Sequence, residues 1–115
     1  MISNSHRFHG LGSLNFAYRK GSVARGQWFS LRYIANNRRT SYRAAVVVSK
    51  KIHKSAVVRN RIRRRIYEIV RSFEMDMVEP YDLVITIYSE QVAEADHTEL
   101  AELLRSTFKQ AHVLK

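Results

Sequence analysis

The chain has 115 residues, a formal net charge of +10 and no cysteine. This length suits one domain with a single core, and a 45% share of hydrophobic residues excludes a disordered chain. The lack of cysteine excludes a disulfide framework and a thiolate metal site, and it fits a reducing cytoplasm. No stretch reaches the roughly 20 apolar residues of a membrane helix, so we expect a cytoplasmic protein without a membrane anchor.

Positive and negative charges occupy different parts of the chain. All ten acidic residues lie from Glu68 onward, whereas only four of the 20 Lys and Arg residues do. A one-sided basic surface repels itself unless it meets a polyanion, so this distribution indicates nucleic-acid binding, and RNA above all. A generally cationic protein without such a partner would mix the two signs along the chain.

Taken in chain order, the sequence predicts a flexible basic arm over residues 1–10 and then seven elements. They are a helix over 11–20, strands over 23–25, 27–34 and 42–49, a helix over 55–73, a strand over 81–88 and a last helix after Asp96. This order, αβββαβα, predicts a single-domain α+β sandwich. The fifth element joins two strands in a βαβ unit, so those strands are expected to pair in parallel within a four-stranded mixed sheet.

The valine-rich run Ala44–Val48 lacks the polar alternation of a half-exposed strand. Such a run is typical of a strand that is covered on both faces. We therefore expect the strand over 42–49 to occupy a central position in the sheet.

The helix over 55–73 has two chemically different faces. At about 100° per residue, one apolar stripe is predicted to face the core: Val58, Ile62, Ile66, Ile69 and Phe73. The opposite face is predicted to be polar, with Asn60, Arg63, Arg64, Tyr67 and Arg71, and with Arg61 beside them. Arg side chains bind phosphate bidentately, and the lysines that precede the helix, Lys50, Lys51 and Lys54, lead to its N-terminus, which also favours anions.

Catalysis by protein side chains finds little support in the sequence. A metal-dependent nuclease needs carboxylates that hold two ions about 4 Å apart. The basic part of the chain, residues 1–67, contains no Asp or Glu. His6 and His9 lack a third metal ligand, and no Asp is placed to complete a triad with Ser and His. We therefore predict no catalytic residue and no metal ligand in the protein.

The segment Ser49–Lys51 followed by Ala56–Arg64 resembles the signature of the protein subunits of bacterial ribonuclease P. In that family a valine-rich strand ends in Ser-Lys-Lys and precedes a helix with an Arg-Asn-Arg element. Leu14–Tyr18 is similar to the family's aromatic first helix, and Tyr81–Ile85 to its last strand. The resemblance implies a ribosomal protein S5 domain 2-like fold, in which the βαβ crossover is left-handed, against the usual hand.

The resemblance also implies a function and its partners. The family's protein binds a large catalytic RNA and assists Mg²⁺-dependent removal of the 5′ leader from precursor tRNA, with the chemistry carried by the RNA. Mg²⁺ is then a cofactor of the holoenzyme and not of the protein alone. The positions that match the family's basic motif, and so imply contact with the catalytic RNA, are Arg59, Asn60, Arg61, Arg63 and Arg64.

The leader is expected in a cleft between the first helix and the sheet. The resemblance implies contacts from Leu14 and Tyr18, although the family usually has an aromatic where Leu14 stands. On the sheet, Phe29 and Tyr33 are candidates to stack on single-stranded bases or to pack in the core. Further along, Arg65 stands where an aliphatic residue is usual and Tyr67 where a Lys or Arg is usual.

Two other functions account for part of the pattern. A structural RNA-binding protein of ribosomal type would explain the charge, but not the Arg-Asn-Arg helix combined with an aromatic first helix. A self-sufficient nuclease would need carboxylates that the basic part lacks. Incubating precursor tRNA with protein, with catalytic RNA and with both separates these possibilities.

Overall fold

Four strands and two long helices follow one another along residues 20–36 and 40–115, the parts of the chain that the computed structural model describes. They are β1 (Ser22–Arg25), β2 (Phe29–Ala35), β3 (Arg43–Val47), α1 (Ala56–Ser72), β4 (Tyr81–Ile87) and α2 (His97–Gln110), with 3₁₀ helices at Glu74–Asp76 and Glu90–Ala93. The predicted order is thus confirmed from the first strand onward. The predicted arm over 1–10 and the predicted first helix, up to residue 19, lie outside the described residues. Within the described ranges, no helix is long and apolar enough to cross a membrane.

The strands form one mixed sheet in the order β1-β2-β4-β3. β3 and β4 are parallel and α1 connects them, which confirms the βαβ prediction. The other neighbouring strands are antiparallel. The left-handed crossover that the resemblance implies stays a prediction.

Both helices pack on one face of the sheet and form the main core with it. The aliphatic and phenylalanine side chains that the helices bury in this core are Ile62, Ile66, Ile69, Val70 and Phe73 at α1 and Leu100, Leu104 and Phe108 of α2. The rings of Phe73 and Phe108 meet edge to face with centroids 5.4 Å apart. The apolar stripe of the long helix is confirmed, and it determines which side of α1 remains for solvent and ligands.

β3 lies at an edge of the sheet, so the prediction of a central strand is wrong. Both faces of β3 are nonetheless covered. Ala44 and Val46 contact the main core, while Ala45 packs with Val84 on the other side of the sheet. An apolar run reports burial of the two faces of a strand and carries no information about its hydrogen-bonding edges.

Tyr67 belongs to the buried side of α1, although helical spacing predicted it on the polar face. Its side chain is only 4% exposed, and its hydroxyl oxygen accepts a hydrogen bond from the backbone N–H of Val46 at 3.2 Å. A tyrosine has the length to reach from the flank of the helix across to β3. It therefore satisfies an N–H that this edge strand cannot pair with another strand.

Tyr67→Phe is expected to lower the free energy of unfolding by about 1 to 3 kcal/mol, because the buried N–H of Val46 loses its acceptor. Tyr33→Phe is the matched control, since the hydroxyl of half-buried Tyr33 forms no hydrogen bond to another described residue, and it is expected to change stability by less than about 0.5 kcal/mol. Urea denaturation of both variants measures the difference. Equal stability would mean that water replaces the lost acceptor.

A buried ion pair connects β3 to β4 on the sheet face opposite the helices. Arg43 and Asp82 are cross-strand neighbours, and Nε and Nη2 of Arg43 donate to the two carboxylate oxygens at 2.9 and 2.7 Å. Nδ2 of Asn36 donates to the same carboxylate at 3.0 Å. The hydrogen bond to Asp82 raises the pKa of Arg43 above its ordinary value. These three donors satisfy a carboxylate that is almost removed from solvent.

Candidate nucleic-acid interface

The start of α1 is fixed by the two residues that precede it. Oγ of Ser55 caps the helix by accepting from the N–H of Val58 at 3.3 Å, and the N–H of Ser55 donates to Nδ1 of His53 at 3.0 Å. Three exposed lysines lie in the adjoining loop: Lys50, Lys51 and Lys54. No acidic residue lies in the first turn of α1, so the lysines and the helix N–H groups together favour an anion.

Arg59 folds back onto this loop. Its Nη1 donates to the carbonyl oxygens of His53 and Lys54, both at 2.9 Å. These bonds hold the lysine-bearing loop against the first turn of α1. Arg59 therefore positions other cations, and its own contact with RNA stays a prediction.

The solvent side of α1 carries a compact polar group formed by Asn60, Arg63 and Arg64. Nη1 of Arg63 donates to Oδ1 of Asn60 at 2.6 Å, which holds these two side chains together. Arg64 is exposed and has no hydrogen bond or ion pair to another described residue. This group can offer several N–H donors to phosphate without first breaking an ion pair to a described residue.

Arg61 and Arg65 lie on the flank of α1 that faces the 3₁₀ helix Glu90–Ala93. Nη1 of Arg61 forms an ion pair with Oε1 of Glu94 at 3.1 Å. Arg65 donates from Nη1 to the carbonyl oxygen of Val92 at 2.6 Å and from Nη2 to that of Ala95 at 2.5 Å. The basic helix thus meets an acid from a distant part of the chain, which the local sequence around α1 did not reveal.

The candidate leader contacts are not gathered on one surface of the described structure. Leu14 and Tyr18 lie outside the described residues. Phe29 is fully buried in the main core, so its assignment as a leader contact is corrected to a core role. Tyr33 is half-buried against the same core, and its ring meets Tyr81 edge-on with centroids 6.3 Å apart.

One exposed aromatic on the sheet face opposite α1 and α2 was not predicted as a leader contact. The side chain of Tyr88 is 56% exposed, and its hydroxyl lies 3.0 Å from Oγ of Ser30 in a hydrogen bond. Ser30 pairs with Thr86 of β4 and with Arg25 of β1, so Tyr88 lies next to polar and basic positions of the sheet. Continuing the alternation of Val84 and Thr86 by one step would have found Tyr88.

Comparison with known proteins assigns this arrangement to one family. The family model described as Ribonuclease P matches residues 2–112. The chain belongs to the ribonuclease P protein family. The ribonuclease P protein component of Pseudanabaena sp. (strain PCC 6903) is 30% identical over 114 residues, which cover 99% of this chain and 97% of the relative. That of Chloroflexus aurantiacus (strain ATCC 29366 / DSM 635 / J-10-fl) is 35% identical over 95 residues, covering 83% and 69%.

The fold also matches a solved ribonuclease P protein. The structure from Staphylococcus aureus superposes with a TM-score of 0.84 and 22% identity, covering 96% of this chain and 98% of that one. At this identity the likeness establishes the ribonuclease P protein fold and leaves individual contacts to be argued from the chain itself. The helix that carries the Arg-Asn-Arg element is α1, whose polar side faces away from the core.

Proposed function

We propose that this chain is the protein subunit of ribonuclease P, acting in the cytoplasm. It binds the catalytic RNA through α1 and assists removal of the 5′ leader from precursor tRNA. The observation that carries the proposal is the solvent side of α1, where Asn60, Arg63 and Arg64 are presented together while the opposite side is committed to the core. The family assignment supports the RNA of ribonuclease P as the partner of this basic surface.

We infer that the RNA carries the chemistry. In residues 20–36 and 40–115, no group of three His, Asp or Glu side chains gathers to hold a metal ion. Several acids serve the fold instead, since Asp82 pairs with Arg43 and Asp96 caps α2 by accepting from the N–H of Glu99. These roles support the proposal that the protein contributes RNA binding, with Mg²⁺ acting within the RNA of the holoenzyme.

We further propose that the leader follows the sheet face opposite α1 and α2. Single-stranded RNA is held by aromatic rings that stack on bases, next to cations that hold the backbone. Tyr88 supplies such a ring, and its bond to Ser30 orients it before RNA arrives. Arg25 and Arg32 lie on the same face of the sheet, and Leu14 and Tyr18 are the contacts that the family resemblance adds.

Reconstitution tests the proposed function. Precursor tRNA is incubated at low Mg²⁺ with the protein, with cognate catalytic RNA, and with both. We expect leader removal to be greatly accelerated only when both are present. Cleavage by the protein alone would make it a nuclease in its own right, whereas RNA binding without any effect on cleavage would indicate a structural protein of ribosomal type.

Arg64→Ala locates the RNA-binding surface in the same experiment. Loss of one phosphate contact should weaken binding to the catalytic RNA and reduce the slope of log K against log salt by about 1. Lys109→Ala, which removes one positive charge from α2, is the matched control and should leave both quantities unchanged. An equal effect of the two substitutions would mean that net charge, and not the surface of α1, determines binding.

A further inference from the structure

Glu94 is brought to the basic helix by tertiary structure. It follows the 3₁₀ helix Glu90–Ala93, and its carboxylate lies 3.1 Å from Nη1 of Arg61. The backbone on both sides of Glu94 is held by Arg65, which donates to the carbonyl oxygens of Val92 and Ala95. One arginine of α1 thus anchors the segment that presents an acid to another arginine one turn earlier.

The ion pair itself contributes little to the fold. The side chains of Arg61 and Glu94 are 51% and 76% exposed, and exposed pairs contribute between nothing and a small stabilisation because water screens both charges. The two carbonyl bonds of Arg65 connect the same elements from a less exposed position. The pair can therefore open without loss of the surrounding structure.

The position of the pair gives it a consequence for anion binding. Arg61, Arg64 and Arg65 line a shallow cavity together with Glu68 and His97, beside the polar group of Asn60, Arg63 and Arg64. A phosphate that approaches Arg61 meets the carboxylate of Glu94 within a Debye length of about 8 Å at physiological salt, so the two anions repel each other. RNA phosphate and Glu94 therefore compete for the positive charge of Arg61.

We propose that Glu94 competes with RNA phosphates for Arg61 and thereby limits the affinity of the basic face of α1. The proposal rests on the proposed function, because it takes α1 as the surface that contacts RNA. It divides the cations of the helix into two kinds. Arg64 meets phosphate without a competing ion pair to a described residue, whereas Arg61 binds phosphate in competition with Glu94.

The test is a double-mutant cycle on purified protein, with the cognate catalytic RNA as the probe. Glu94→Gln should tighten binding by roughly two- to fivefold, the range that corresponds to an exposed ion pair. It should also steepen the salt dependence by up to about 1, since one more cation can release counterions. In the Arg61→Ala background, Glu94→Gln should give no more than the small gain expected from the change in net charge.

Glu90→Gln is the matched control, because Glu90 is exposed in the short helix that precedes Glu94 and the substitution changes the net charge equally. We expect a smaller gain in affinity than for Glu94→Gln. The proposal is overturned if the two substitutions act equally, if Glu94→Gln weakens binding, or if its full effect persists without Arg61. Melting temperatures confirm that all variants are folded.

A second probe separates this proposal from the proposed function. An unrelated structured RNA of equal length is bound in parallel by the wild type and by Glu94→Gln. Equal wild-type affinity for both RNAs would contradict specific assembly with the catalytic RNA. The effect of Glu94→Gln and its dependence on Arg61 would still be measurable on either RNA, so one idea can fail without the other.

Discussion

Asp82→Ala is expected to lower the free energy of unfolding by about 3 to 5 kcal/mol, because it removes one partner of a buried ion pair and leaves the other. Arg43 would keep a charged guanidinium that is 20% exposed and has lost its two carboxylate bonds. The amide of Asn36 would lose its bond to the same carboxylate. Since the pair joins the first residues in register of the parallel strands β3 and β4, the loss weakens the start of their pairing.

Asp76→Ala provides the control for this prediction. Asp76 pairs with Arg105 at 3.5 Å, but both side chains are largely exposed. Such pairs contribute at most about 1 kcal/mol. Urea denaturation of the two variants should therefore give clearly separated midpoints. Comparable losses would mean that solvent reaches Asp82 as easily as it reaches Asp76.

Ile62→Ala is expected to cost about 2 to 5 kcal/mol, because it leaves a cavity where α1 meets the sheet. Ile62 has no exposed surface and lies between Arg61 and Arg63, so the substitution changes the core within the basic segment without removing a charge. Val57→Ala is the matched control. Val57 is 74% exposed on the same helix, and its loss should change stability by less than about 0.5 kcal/mol.

RNA binding by Ile62→Ala and by Arg64→Ala provides a second criterion. Under conditions where Ile62→Ala is still folded, its affinity for catalytic RNA should equal that of the wild type, since the polar side of α1 is intact. Arg64→Ala should behave in the opposite way, with normal stability and weakened binding. If Arg64→Ala unfolds the protein while Ile62→Ala abolishes binding, the two faces of the helix are assigned in reverse.

Helical spacing predicted the core stripe of α1 because aliphatic side chains at that spacing point in one direction. It did not predict the contacts of Tyr67 or Arg65, whose long side chains reach groups outside α1. The ring of Tyr67 reaches the backbone of β3, and the guanidinium of Arg65 reaches two carbonyl groups near α2. The resemblance had marked both positions as departures from the family's pattern, and the structure gives each a structural role.

The position of β3 and the environment of Arg61 could not be read from local patterns. A strand's place in a sheet depends on which strands it pairs with, and the apolar run Ala44–Val48 does not indicate those partners. The acid that meets Arg61 comes from a segment 33 residues later in the sequence. For the same reason, the alternation that placed Phe29 on a strand face left open whether that face is covered by helices.

The hydrogen bond from Val46 to Tyr67 has a consequence beyond the stability of this domain. Edge strands with free N–H and C=O groups attract strands from other molecules, which leads to intermolecular sheets and aggregates. At β3 the hydroxyl of Tyr67 accepts a hydrogen bond from one such N–H group, and α1 packs next to the strand. The other edge, β1, has only four residues and carries the exposed Arg25. In RNA-free protein, we expect these edges to resist strand pairing between copies, and the positive charge adds a repulsion that bound RNA would cancel.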